Sequence, residues 1–359
     1  MRMDNPSSGR RRGRVTIKQV AEHAGVDPSV VSRVINHDPR LSVRPETRER
    51  VVAAIKELGY RPNAVGRSLR TARAGMLGLF IPDFANPVYA EIIKGAEAAA
   101  AQLGYLLVTG SASGSKPGTG HYVDLLGQGR VDGLLLAGTD ASSALIDRLN
   151  DALLPWILVN QRVSWARRYV ILDDERAGDL AVEHLVDLGH RRIAHLAGPP
   201  TSDTARRRRA GYLAAMERVG LAHDERLIVD ADYTPAGGAA AIADLLALDE
   251  PPTAVFVANV ASAIGALHAA QAAGVEVPRD LSLVAVHDLP LAGYLTPPLT
   301  TVRMPLEDLG RRGVELLTGS DPDAPIEETV DNSVELIVRD STTRPPRRRR
   351  KTLGAAEHG

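Results

Sequence analysis

The chain has 359 residues, enough for two or three domains, and is 44% hydrophobic with only 4% aromatics, so its core is aliphatic and alanine-rich. It contains no cysteine, which excludes disulfides, thiolate metal sites and thiol catalysis and suits a reducing cytosol. The net charge of −1 conceals a segregation: residues 1–73 carry 16 Lys and Arg against 7 Asp and Glu, and the remainder carries 27 against 37. A basic head on an acidic body is what a phosphate-binding module needs.

Met1–Arg14 is polar with Arg10, Arg11, Arg12 and Arg14 clustered. It reads as a disordered arm, either adding phosphate contacts or merely solvated. From Thr16 to Asn36, two short helical patterns flank Ala24-Gly25-Val26. Thr16 caps the first, and Gln19 completes a capping box. Val20, Ala21 and Ala24 form its apolar face. Asp27 caps the second, with Pro28 at its first position, where no N–H bond is lost. Val31, Val34 and Ile35 point inward, leaving Ser29, Ser32, Arg33 and Asn36 outward. The spacing predicts a helix-turn-helix whose outer face reaches a DNA major groove; the alternative is an αα-hairpin with a solvated face. A loop, His37–Arg40, precedes a third helix opened by Pro45. Val51, Val52, Ile55 and Leu58 lie on one face of it, and Gly59 stops it. Tyr60–Arg70 is a connector too short for an isolated helix.

From Met76 short apolar runs alternate with helical patterns in two successive series, up to the run LSLVAV. This predicts two doubly wound parallel sheets, hence two lobes with a crevice at the carboxyl ends of their strands. Arg344–Lys351 is Pro- and Arg-rich and is expected to be disordered.

The segments VTIKQVAEHAGVDPSVVSRVIN and RPETRERVVAAIKELGYRPNAVGRSLRT resemble the head of the LacI/GalR family of bacterial transcription regulators. The resemblance runs on to about Arg339. It implies an α/β fold, a helix-turn-helix head joined to a two-lobed periplasmic-binding-protein-like core. The expected divisions are a basic arm 1–14, a head 15–60, a hinge 61–73, a core 74–343 and a basic tail 344–359. Lobe one is taken as 74–170 plus 300–330, and lobe two as 171–299 plus 331–343. The expected DNA-binding set is Thr16, Pro28, Ser29, Ser32, Arg33, Asn36, Arg40, Tyr60, Asn63, Arg67 and Leu69. Within it, Pro28 and Ser29 occupy positions that set half-site choice, and Leu69 matches the leucine that wedges between base pairs. Gly66 departs from the usual alanine and disfavours the hinge helix by ~1 kcal/mol. No leucine-heptad tail follows the core, so a homodimer is expected rather than a tetramer.

For an effector, the resemblance points to Phe84, Asn86 and Tyr89 after the first strand, Asn160, Thr204, the clamping Arg208, Tyr233, Asn259 and His287. Each has a plainer alternative: capping for Asn86 and Asn160, a surface charge run for Arg206–Arg209, core packing for Tyr233. Three departures stand out. The usual Asn-Asp reads Asn259-Val260, the usual Asp-Asp reads His287-Asp288, and Met304 replaces a polar contact. A protonatable His287 beside Arg208 suits an anionic sugar derivative; in the competing reading Asp288 grips ligand hydroxyls instead.

Enzyme signals are weak. Ser113-Gly-Ser-Lys116 lacks partner motifs, and the glycine-dense Gly110–Gly120 lacks a phosphate-loop pattern. No metal or cofactor is expected. No apolar run approaches the ~20 residues of a membrane helix, and no signal core follows the N-terminal charges. The expectation is therefore a cytoplasmic, nucleoid-associated repressor whose partners are operator DNA, a sugar or sugar derivative, and a second copy. The rivals are a solute-binding protein and a sugar-acting enzyme.

Overall fold

A computed structural model describes residues 15–36, 41–60, 73–111, 129–138, 143–221, 224–331 and 333–346. The chain divides into two units, Met1–Ala74 and Gly75–Gly359. The contacts expected of Arg40, Asn63, Arg67 and Leu69 lie outside the described residues.

The first unit holds three helices, α1 (Ile17–Ala24), α2 (Pro28–Ile35) and α3 (Pro45–Glu57). The capping box is formed: the Thr16 N–H donates to Gln19 Oε1 at 2.8 Å, and the Gln19 N–H to Thr16 Oγ1 at 3.4 Å. Gly25 turns the chain in the left-handed region at φ 62°, where a side chain would be strained. Asp27 Oδ1 accepts the Ser29 N–H at 2.8 Å and caps α2. Val20, Ala21, Ala24, Val31, Val34, Val51 and Ala54 make the core of the bundle. Val52 is 53% exposed, so Ala54 takes the inward place expected of it. The reason is helical phase, since one residue beyond Val51 is turned by about 100°.

The second unit contains two six-stranded sheets. The first is built from β1 (Met76–Ile81), β2 (Leu106–Ser111), β3 (Leu134–Ala137), β4 (Trp156–Val159), β5 (Arg168–Leu172) and β11 (Ile326–Val330). Its order is β11-β5-β4-β3-β1-β2, parallel throughout. The second comprises β6 (Ile193–Ala197), β7 (Ile228–Asp230), β8 (Ala254–Val257), β9 (Ser282–Val286), β10 (Thr300–Arg303) and β12 (Glu335–Ile337), in the order β12-β10-β9-β8-β6-β7. Only β12 runs antiparallel in it.

Thr300–Arg303 pairs with β9 in the second sheet, which corrects its assignment to lobe one. Its alternating threonines and valine carry no mark of which sheet they join. The chain returns to lobe one only with α10 (Leu306–Gly319). Likewise the first sheet extends through Leu172, past the expected boundary at 170.

Helices α4 (Val88–Gln102), α5 (Ser143–Asp151), α6 (Asp174–Asp187), α7 (Asp203–Arg218), α8 (Pro235–Leu246) and α9 (Val260–Ala272) complete the layers. The α6–α7 pair is close enough that a Cβ on Gly211 would meet the Glu175 carbonyl oxygen at 2.0 Å, and one on Gly178 the Arg208 carbonyl oxygen at 2.6 Å. These reciprocal glycines let α7 settle against α6. That approach carries Arg207 and Arg208 into the interior.

Candidate functional site

Two regions carry the expected functional residues. In the head, the turn geometry presents α2 with Ser29, Arg33 and Asn36 exposed and Pro28 and Ser32 half-buried. The Asn36 amide donates to the Ser32 carbonyl at 2.5 Å, which fixes the end of that face. Thr16 is exposed at the start of α1. Tyr60 instead packs partly buried against the head core. His23 Nε2 and Glu57 Oε2, 2.9 Å apart, tie α1 to α3.

In the second unit, a cavity of about 690 Å³ opens between the two sheets' carboxyl ends. Lobe one contributes Pro82, Asp83, Ala85, Asn86 and Tyr89 after β1, Gly138 after β3, and Asn160–Val163 after β4; lobe two contributes segments after β6, β7 and β8. Of the expected residues, Asn86, Tyr89, Asn160, Thr204 and Tyr233 line it. Asn86 Oδ1 also accepts the Val88 N–H at 3.2 Å, so its capping role holds as well. The Tyr89 hydroxyl lies where a Cβ on Gly138 would sit, 2.3 Å away. Its phenol is pushed above the ordinary range by burial and then by Tyr233. Thr204 Oγ1 and the Tyr233 hydroxyl are 3.1 Å apart. Asn160 is 94% buried, yet its Oδ1 has no partner among the described residues.

Among the described residues four non-glycines have positive φ, and three belong to this region: Asn160 (60°), Tyr233 (64°) and His287 (80°). Such strain costs about 1–3 kcal/mol per residue and gathers where side chains must be aimed.

The remaining expected residues are not in the wall. Phe84 is 57% exposed and outside it, because the loop after β1 turns its ring to the surface. Arg208 is 2% exposed and fully engaged behind the wall. Its Nε donates to Asp174 Oδ1 at 2.7 Å, Nη1 to the Ala258 carbonyl at 2.6 Å and Nη2 to His287 Nε2 at 3.1 Å. Asn259 caps α9, accepting the Ser262 N–H at 2.9 Å and donating to the Tyr233 carbonyl at 3.1 Å. It thereby holds Tyr233 in its strained turn.

His287 is buried, and burial followed by the Arg208 charge holds its pKa well below the ordinary imidazole value. This corrects the expectation of a protonated His287 gripping an anion. Asp288 does not take over the grip, since its carboxylate accepts from Thr301 Oγ1 at 2.8 Å, Arg303 Nη2 at 2.7 Å and Arg339 Nη2 at 2.6 Å. Met304 is buried in the core rather than in the wall.

Sequence reasoning missed Asp174, the fully buried carboxylate that pairs with both Arg207 and Arg208. Its only signal was a second aspartate at the start of α6. Asp83, Arg162, Asp203, Arg206 and Asp232 in the wall were also missed. Of the run Arg206–Arg209, only Arg206 and Arg209 remain at the surface, because successive helical positions turn by about 100°.

Comparison with known proteins follows the same division. Residues 16–63 match the family model of bacterial regulatory proteins, lacI family, and residues 182–342 match a periplasmic binding protein-like domain. The ribose operon repressor of Escherichia coli (strain K12) is 37% identical over 306 residues, covering 84% of this chain and 92% of its own length. The Lac repressor dimer bound to operator and the anti-inducer ONPF superposes with a TM-score of 0.81 at 30% identity, over 92% of this chain and 99% of that one. The transcriptional regulator CelR in its cellobiose complex gives 0.70 at 32% identity, over 91% and 100%. With a capped helix-turn-helix at its head, a two-lobed core following it in sequence and relatives matched along nearly their whole length, the chain belongs to the lacI family of bacterial transcription regulators.

Proposed function

We propose that the protein is a repressor that binds a near-palindromic operator as a homodimer and changes its DNA affinity when a sugar or sugar derivative enters the interlobe cavity. The observation that carries this reading is the cavity itself: its wall is drawn from both lobes, so an occupant bears on their relative position. Pro28, Ser29, Ser32, Arg33 and Asn36 read base edges and phosphates from α2, with Thr16 and Arg40 on the backbone. Arg33 supplies a fork for guanine or phosphate. Asn63, Arg67 and Leu69 serve the hinge, Leu69 as a wedge that kinks the DNA. Two heads are needed because one offers too few contacts for tight specific binding. Leu106 and Val108 on β2, the outer strand of the first sheet, are exposed and offer a second copy an apolar edge.

In the cavity, Asn86, Tyr89, Asn160, Thr204 and Tyr233 meet the effector. Arg208, Asn259 and His287 hold the lobe-two wall in place from behind. Acidic Asp83, Asp203 and Asp232 are offset by Arg162 and Arg206, and this balance favours a neutral polyhydroxylated ligand over an anion.

Gel retardation with the promoter DNA beside its own gene tests the reading. A specific shift, altered by one member of a sugar panel, is expected. A solute-binding protein or an enzyme gives no shift.

A further inference from the structure

The chain crosses between the lobes three times, from β5 to α6, from β10 to α10 and from β11 to β12. Beside the first crossing, a side chain of one lobe meets a loop of the other. Arg162 follows β4 in lobe one, and Asp203 opens α7 in lobe two. The Arg162 backbone N–H donates to Asp203 Oδ2 at 3.0 Å. The guanidinium of Arg162 adds two long contacts, Nε to Asp203 Oδ1 at 3.7 Å and Nη2 to Glu175 Oε1 at 4.0 Å. Ion pairs this long on a half-exposed side chain contribute little. The link therefore rests on the charge-assisted hydrogen bond from the backbone, which is independent of the Arg162 side chain.

Asp203 is braced from within lobe two. Its side chain is 9% exposed, and the same Oδ2 accepts Arg207 Nε at 2.9 Å. Arg207 is buried, and its Nη1 donates to the Leu172 carbonyl at 2.7 Å and to Asp174. Leu172 ends β5 and Asp174 begins α6. Arg207 thus clasps the crossing with one nitrogen and Asp203 with another, so the loop of lobe one meets a fixed acceptor.

This hydrogen bond stands close to the pivot between the lobes. A contact near a pivot that is either made or broken becomes a larger displacement farther out. The far edges are β2 and β7, since the crossings leave the first sheet from β5 and β11 and the second from β10 and β12. Arg162 and Asp203 also line the interlobe cavity, so an occupant bears on both halves of the bond. We propose that Asp203 is a hinge stop: its bond to the Arg162 N–H sets the angle between the lobes, and an occupant of the cavity changes that angle by breaking or keeping it. The regulatory use rests on the reading of the cavity as an effector site; the stop itself does not.

The chain has no cysteine, so two spin labels can be placed without background. Glu97→Cys on α4 and Ala243→Cys on α8 are exposed positions beside β2 and β7. Electron–electron resonance distances are read on purified full-length protein, diluted with unlabelled chain and with neither DNA nor sugar added. The parent is expected to give one narrow distribution, and Asp203→Ala to shift or broaden it by at least about 3 Å. Asp203→Asn keeps an oxygen for both Arg162 N–H and Arg207 Nε and should match the parent. Hydrogen exchange at the Arg162 amide should be at least about tenfold slower in the parent than in Asp203→Ala. The proposal is overturned if Asp203→Ala keeps the parental distances with its thermal midpoint retained. It is equally overturned if Asp203→Asn is displaced as far as Asp203→Ala, because lost charge in lobe two would then be the cause. Should Asp203→Ala fail to fold, a parental Arg162 amide exchanging as fast as an open loop overturns it. None of these outcomes depends on operator or sugar binding, which gel retardation tests separately.

Discussion

Arg208 Nη2 and His287 Nε2 stand 3.1 Å apart in the interior of lobe two, and the proton between them belongs to arginine. A guanidinium has no acceptor, so Nε2 must accept and His287 is the neutral tautomer with its proton on Nδ1. That Nδ1 has no partner among the described residues. Protonating His287 would set two like charges together in a buried site.

The pH dependence of stability follows. His287, His184, His190 and His195 are all held below the ordinary imidazole value, chiefly by burial, His195 down to about 3. Unfolded histidine titrates near 6.5. The unfolded chain therefore takes up protons first, and stability present above about pH 6.5 is lost as the pH falls. Each such histidine contributes up to about 1.4 kcal/mol per pH unit below that point. Urea unfolding at pH 7.5, 6.5 and 5.5 should show a falling midpoint. His287→Gln, which keeps an acceptor for Arg208, should flatten the slope. A midpoint that rises towards acid would contradict this account.

Asp174 is the other half of the arrangement. It is fully buried and takes Arg207 on one oxygen and Arg208 on the other. Removing one partner of a buried ion pair leaves an uncompensated charge and costs about 3–5 kcal/mol. Asp174→Ala should cost at least that much, since two guanidinium groups lose their carboxylate. The loss should appear in denaturant midpoints with no ligand present. A cost below about 1 kcal/mol, the range of surface pairs, would mean that water reaches the cluster.

Arg33 provides the test of the head. It is exposed on α2, away from the core made by Val31 and Val34. Arg33→Ala should leave the thermal midpoint unchanged and cost about 1–3 kcal/mol of operator binding, measured by titration at fixed salt. Loss of affinity equal on operator and unrelated DNA would assign Arg33 to phosphate alone.

The head was legible in the sequence because its signals are local. Thr16 with Gln19, Asp27 with Pro28, and Gly25 between them act over three or four residues, and each appears in the structure as read. The alternation of strands and helices was legible for the same reason. What failed was non-local. Thr300–Arg303 fits either sheet by pattern, and only pairing with β9 decides it. His287 was judged from its chemistry in water, but its state is set by Arg208, which is 79 residues away in sequence. Asp174 was passed over because burial of a carboxylate depends on arginines from another helix. The close α6–α7 contact at Gly178 and Gly211 was unread too, since a glycine within a helix does not show what approaches it.

The last prediction concerns Asn160. Its backbone is left-handed at φ 60°, its side chain is buried in the cavity wall, and its Oδ1 is unpartnered. A buried acceptor left empty is costly, and under the proposed function it is a ligand hydroxyl that satisfies it. Glycine adopts the same backbone freely, so Asn160→Gly removes the acceptor without distorting the turn. Truncation to alanine would confuse the two effects, because alanine is strained there. Calorimetry against a panel of neutral monosaccharides should find a binder for the unaltered protein. Its affinity should be flat between pH 6 and 8, because burial and the Arg208 charge keep His287 in its neutral form. Asn160→Gly should weaken that binder about tenfold or more, as expected for one buried hydrogen bond to a ligand, while operator binding without ligand stays intact. Affinity for an anionic sugar that falls steadily as the pH rises would instead restore a charged histidine to the site. Unchanged affinity in Asn160→Gly would remove Asn160 from it.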